Sequence, residues 1–348
     1  MWLSQLKTEF RNGILRFLGR QWAQLGVFTE LEFRDRWLID PEALLLVTLH
    51  FGRYDPRLFD EVLDWCSRNG RWIAVQRLRN AAGQTAGAVT TQVLAPILEI
   101  LKGYKPTPGA GESIRSASDS KAEALALFME MSGETLPLLG PGDPLFGKYG
   151  IRRPLVQLRG MSRGVPMDTP SNLLFKLRAL FGIGTRPEGI AYLLSHDQGY
   201  PSEIARRTAW SQASVAQTLS ELAASGLAAE QQHAGRERLY LLDRSHWRRF
   251  LRPKGPLPAW VDWLRFFNGL YLLDVFLEEP LENLSEYMLY SRFTTVTLKL
   301  ASHIADAGLP LRVPRDFALP ATRAVLAFLV KRLGSVLNRR LSTSKMPA

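Results

Sequence analysis

The stretch SQASVAQTLSELAASGL, Ser211 to Leu227, constrains the fold of this chain more than any other. Read with a period of 3.6, Val215, Leu219 and Leu222 fall on one face at i, i+4 and i+7, while Gln212, Ala213, Ser214, Gln217, Thr218 and Glu221 lie outside that stripe. The predicted helix therefore has one face to bury and one face of small polar residues. The Ser211 hydroxyl can cap its first turn, and Gly226 suits the left-handed residue that closes a helix. Upstream, Pro201 to Trp210 predicts a short helix with Ile204 and Ala205 inward, then a tight turn into Ser211. Downstream, Leu227 to Gln232 and Arg238 to Leu242 predict two strands of a hairpin with residues 233–237 at its tip.

Helix, turn, helix and hairpin in this order resemble the winged-helix domains of ArsR-type and MarR-type bacterial transcription regulators. The matching residues are Ser211, Gln212, Ser214, Val215, Leu219, Leu222, Gly226, Leu227, Gly235, Arg236 and Tyr240, where those families commonly carry S-Q, S-V, L, L, G-L, G-R and Y. The resemblance is confined to about 172–250, roughly a fifth of the chain. It implies double-stranded DNA as a partner. Independently of it, an exposed helix face of small polar residues fits a major groove about 12 Å wide, where Gln and Ser can bond to base edges. Gln212, Ser214, Gln217 and Thr218 are the expected base-facing residues. Arg207, Arg236 and Arg238 are expected at phosphates, together with Arg159 and Arg163 from the basic segment upstream. The helix has no Lys or Arg of its own, so affinity must come from its surroundings. The chain departs from the ArsR pattern in having one cysteine, Cys66, and hence no paired thiolates for a metal.

Charge agrees with a polyanionic partner: 44 basic against 33 acidic residues give +11. The excess is concentrated. Between Leu145 and Leu180 seven basic residues face Asp168 alone, and from Arg323 onward six face no acid. A lone cysteine and five scattered histidines predict neither a disulfide framework nor a metal centre. GAGES and GPGDP lack the spacing and lysine of a phosphate loop, GMSRG lacks the nucleophile-elbow pattern, and no paired carboxylates or triad emerge. No cofactor and no catalytic residue are expected, and the chain reads as a non-enzyme. The absence of an 18-residue apolar run and of a compact secretory core predicts no membrane span and a cytoplasmic location.

The rest of the chain reads as mainly α, with the central winged helix flanked by N- and C-terminal helical domains. Residues 1–104 form the first, opened by a helix over 2–25 whose Trp2, Leu6, Phe10, Ile14, Phe17, Leu18, Trp22 and Leu25 lie near one side, with Lys7, Arg11, Arg16 and Arg20 elsewhere. Asp40-Pro41 and Asp55-Pro56 are helix-start signals. Residues 105–170 read as a Pro/Gly-rich, basic connecting region with a short helix in KAEALALFMEMSG, then 171–250 as the winged helix. Residues 256–342 read as an aromatic-rich helical domain beyond the joint RPKGPLPAW. Its first helix is apolar nearly all round and so must be buried. Tyr287, Tyr290 and Arg292 are the polar cluster that would mark an effector pocket there. The functional reading is a DNA-binding transcriptional regulator acting as a homodimer, with the helical flanks available to a protein partner. The alternative is a non-catalytic assembly or antitoxin-like protein whose winged helix contacts protein.

Overall fold

A computed structural model of the chain describes residues 2–27, 37–85, 87–103, 124–232, 238–309 and 311–338. Among them the fold is mainly helical, as the periodicities predict. Helix α1 (Trp2–Gln24) is followed by α2 (Pro41–Phe51), α3 (Pro56–Asn69), α4 (Val75–Gln84) and α5 (Ala88–Leu101). The two Asp-Pro signals act as read. Asp40 accepts a hydrogen bond from Ala43 N at 3.1 Å and Asp55 from Leu58 N at 3.0 Å, each with proline in the first turn.

The expected helix in KAEALALFMEMSG is absent from its described part. Leu125–Ala126 instead forms β1, parallel to β2 (Ile151–Arg152), with the one-turn helix α6 (Pro144–Gly147) just before β2. Arg53 explains the choice: its guanidinium donates to the Leu127 and Ala126 carbonyls at 2.8 and 3.0 Å, and its own carbonyl accepts from Met129 N. Those bonds hold the backbone extended and leave Leu127 and Phe128, neighbours in sequence, both buried.

Helices α7 (Leu173–Phe181), α8 (Thr185–Ser195), α9 (Pro201–Thr208) and α10 (Gln212–Ala224) follow, then β3 (Ala229–Gln232), β4 (Arg238–Leu241) and α11 (Arg244–Leu251). The chain closes with α12 (Trp263–Glu278), α13 (Glu286–Ala307) and α14 (Thr322–Leu337). Helices α12 and α13 cross so tightly that a Cβ on Gly269 would stand 2.9 Å from Leu300 Cδ1, which is why glycine occupies that turn of an otherwise apolar helix.

The buried residues separate into two sets, and their division corrects the expected domains. One set runs from Leu3 to Leu337 and takes in α1 to α5, the segment 127–165 and α12 to α14, together with Phe175 and Ala209 from the stretch between. The flanks read as separate N- and C-terminal domains thus share a core. Helix α1 is its axis: it packs on α2, α12 and α14, Phe17 meets Trp263 at 5.4 Å, and Trp22 meets Trp65 at 5.1 Å. Lys7, Arg11 and Arg20, expected away from the apolar side, are buried with it. Arg11 bonds Asp274 and Glu278 of α12 and the Met131 carbonyl, while Tyr54 stacks over its guanidinium at 4.0 Å. The second set comprises Leu38 and residues between Leu173 and Leu251.

Five buried ionisable side chains join the two cores. Arg77 of α4 bonds Asp40 and Glu42, and Arg178 of α7 bonds Glu42 from α2 and Glu188 from α8. Arg77 Nε also donates to the Thr208 carbonyl at 2.6 Å, and Arg178 Nη1 to the Trp72 carbonyl at 2.6 Å. Burial acts to push both guanidinium pKa values down, but the surrounding carboxylates outweigh it and raise them. Helix α9 is therefore bolted to the helical body through charge. Among the described residues no helix is long and apolar enough to cross a membrane.

Candidate nucleic-acid interface

The α9–α10 unit is built as its local sequence dictates. Pro201 opens α9, Ile204 and Ala205 are buried, and Ala209 ends the helix in the left-handed region at φ 55°. Ser211 then caps α10, its Oγ accepting from Ser214 N at 3.2 Å. Val215, Leu219 and Leu222 are buried against α8 and α9, and Gly226 at φ +72° turns the chain out of the helix. Strands β3 and β4 pair antiparallel from Ala229↔Leu241 to Gln232↔Arg238. Gly199, just before α9, adds a third extended residue by exchanging hydrogen bonds with Tyr240 at 2.9 and 3.1 Å. The hairpin is thereby fixed to α9 as well as to α10.

Of the four expected base-facing residues, Gln212, Ser214 and Gln217 are exposed on α10. Thr218 is not: it is 6% exposed, and its hydroxyl bonds Thr185 Oγ1 of α8. It sits one position before Leu219 and one turn before Leu222, so α8 covers it. The exposed row carries its own polar network. Gln217 Nε2 donates to Glu221 Oε1 at 3.1 Å, and Glu221 Oε2 accepts from Arg186 of α8 at 2.6 Å. Arg186 thus sets a cation beside a helix that lacks one. Thirty-five positions separate it from Glu221, so no local pattern could have revealed it.

The expected phosphate contacts divide. Arg238 on β4 is exposed and pairs with Glu230 of β3 at 3.0 Å. Arg236 lies outside the described residues. Arg207 faces inward, with Nε 3.2 Å from the Glu203 carboxylate and Nη1 donating to the Asp306 carbonyl of α13 at 3.4 Å. Its neighbour Arg206 is the exposed cation of α9, beside the turn into α10. Arg159 and Arg163 are exposed but belong to a strap on the helical body: Asp64 of α3 accepts from Gly160 N and Ser162 N at 2.8 and 2.9 Å, and Arg163 N donates to the Gly26 carbonyl.

Other members of the upstream basic run are spent inside. Arg153 is buried against Asp60, Arg178 lies in the network described above, and Lys176 Nζ donates to the Leu251 carbonyl at 2.6 Å. These three are therefore not free cations, whereas Lys148 and Arg152, like Arg159 and Arg163, are exposed. The cluster of Tyr287, Tyr290 and Arg292 is likewise taken apart. Tyr287 is 69% exposed, Tyr290 packs on Phe317, and Arg292 pairs with Glu279.

Groups that suggest other chemistry are enclosed. Burial pushes the Cys66 thiol up to about 12, far from the range of a reactive thiolate. His50 bonds Asp274 at 2.9 Å between the rings of Phe51 and Tyr271; burial opposes the Asp274 charge, but His50 and Arg11 hold its pKa below the usual carboxylate range. Among the described residues no group of three or more His, Cys, Asp or Glu side chains is placed to hold a metal ion. No protein-family model, curated protein or solved structure matches this chain.

Proposed function

We propose that the chain is a DNA-binding transcriptional regulator in which α9, α10 and the β3–β4 hairpin act as a winged helix. The observation that carries this reading is the exposed row Gln212, Ser214 and Gln217 on α10, held over a buried Val215–Leu219–Leu222 stripe by a capped, tight turn. A helix so mounted presents amide and hydroxyl groups at the width of a major groove. Arg206 at the turn, Arg186 on α8 and Arg238 on the hairpin supply the cations for flanking phosphates. Dimerisation brings two such helices to successive half-sites. Exposed Leu180, Ile183 and Phe250, on and beside α7 and α11, are the apolar residues available for it.

A second reading, a non-catalytic assembly or antitoxin-like module, is favoured by one feature. Glu221 and Glu230 neutralise Arg186 and Arg238, so the face is less cationic than the net charge of the chain suggests.

Binding of the purified chain to random-sequence duplex and to the DNA upstream of its own gene, across a salt series, separates the two. The DNA reading expects preference for the upstream duplex. In Arg206→Ala/Arg238→Ala the slope of log affinity against log salt falls by about 1.8, at about 0.9 per phosphate contact. No duplex binding even at low salt rejects it in favour of the assembly module.

A further inference from the structure

A cavity of about 430 Å³ lies on the helical body, between the start of α3, β1 and the segment 135–139. A second cavity, of about 500 Å³, shares its Pro56, Asp60 and Pro154 wall. The first is walled by Ala126, Phe128, Leu136, Pro137 and Leu138, a volume and an apolar lining of the kind that small-molecule sites have. Leu138 and Leu139 stand 43% and 75% exposed there, large apolar side chains at its edge.

Arg153 gives this cavity its chemistry. The side chain is 1% exposed, and its guanidinium carbon lies 5.0 Å from the Phe146 ring, 5.1 Å from Phe128 and 6.0 Å from Phe59. Nε donates to the Pro154 carbonyl at 2.8 Å and Nη2 stands 2.7 Å from Asp60 Oδ1, but Nη1 is buried with no hydrogen-bond partner. A buried, charged donor left unpaired is costly; Nη1 has no exposed surface, so an incoming carboxylate oxygen removes that cost by displacing the wall beside it. Among the described residues Asp60 is the one acidic residue in the lining, against Arg152 and Arg153. Those residues together carry one net positive charge among apolar walls.

We propose that this cavity binds a ligand that joins a single carboxylate to an apolar body, the carboxylate meeting Arg153 and the body lying along Phe128, Leu136 and Leu138. A free small acid and the C-terminus of an apolar peptide share this chemistry. The site is separate from α10, and the proposal stands whether or not the chain binds DNA.

Calorimetric titration of the full chain with octanoate, 3-phenylpropanoate and 1-octanol tests it, with a leucine-terminated hexapeptide as free acid and as amide. Saturable one-to-one binding is expected for at least one carboxylate, with at least tenfold weaker binding of its neutral counterpart. The peptide pair tells the two sources apart. Ala126→Phe, which fills the cavity from its wall, is expected to weaken binding at least tenfold, and Leu138→Asp at the mouth at least fivefold, both with a native circular-dichroism spectrum. The proposal is overturned if no carboxylate binds up to about 1 mM, if 1-octanol matches octanoate, or if both folded variants bind like the parent.

Discussion

Replacing Arg178 with methionine removes the cation that bonds both Glu42 and Glu188 where the two cores meet. Asp40, Glu42 and Glu188 against Arg77 and Arg178 leave one net negative charge in that buried cluster, and the variant leaves two. Removing one partner of a buried ion pair costs about 3–5 kcal/mol, because the stranded charge stays out of water. An unfolding entropy of about 2.1 cal/mol/K per residue gives about 0.7 kcal/mol/K for 348 residues, so a loss of about 4 kcal/mol lowers Tm by about 5–6 °C. The pH dependence identifies the group responsible. Burial already holds the Glu188 pKa above its ordinary value, and Arg178 is the main charge opposing that rise. Without Arg178 the folded pKa climbs further, so the folded state binds a proton over a wider range than the unfolded chain does. Stability of Arg178→Met should therefore rise as pH falls from 7 toward the unfolded carboxylate pKa, more steeply than in the parent. Thermal unfolding across this range is the assay, with Arg178→Met/Glu188→Gln as the companion that restores one net negative charge and recovers most of the loss. A Tm drop below about 1 °C, or a companion no more stable than the single variant, would refute an ionised network joining the cores.

Asp262 caps α12 from a buried position, and burial pushes its pKa up to about 6. The penalty is absent where both states are protonated and complete above the folded pKa, so Asp262→Asn should exceed the parent by about 2–3 kcal/mol above pH 6.5 and match it near pH 3, as read from thermal unfolding. Leu219→Ala empties a fully buried position of the second core and should cost about 2–5 kcal/mol in denaturant unfolding, whereas Gln217→Ala, exposed, should leave the midpoint unchanged. Cys66 should resist a thiol reagent at pH 8 in the folded chain and react fully in denaturant, and rapid native labelling would contradict its enclosure.

What the sequence announced was local. Asp40, Asp55 and Ser211 cap helices because each carries an acceptor at the right offset from a first turn, and the period of Val215, Leu219 and Leu222 names the buried face of α10 without tertiary information. What it concealed depends on partners far along the chain. Arg178 counts as basic surface until Glu42, 136 positions away, is brought to it. Likewise Arg207 outranks Arg206 as a phosphate contact until Asp306 is found beside it. Arg53 extends a segment whose composition favours helix, again from more than 70 positions away. The shared core of the two flanks is the same effect at larger scale, since nothing in either flank records that α1 lies against α12 and α14. Thr218 is the instructive exception, because its place one turn before Leu222 was visible and its hydroxyl still suggested the polar face.

The most direct test of the α10 reading is selection of duplexes from a random pool by the parent chain and by Gln217→Ala. Base readout by α10 predicts a defined parental sequence whose preference relaxes at one or two positions in the variant, with affinity for unrelated duplex retained. Identical selected sequences from the two proteins, or no enrichment with either, would contradict base recognition by this helix.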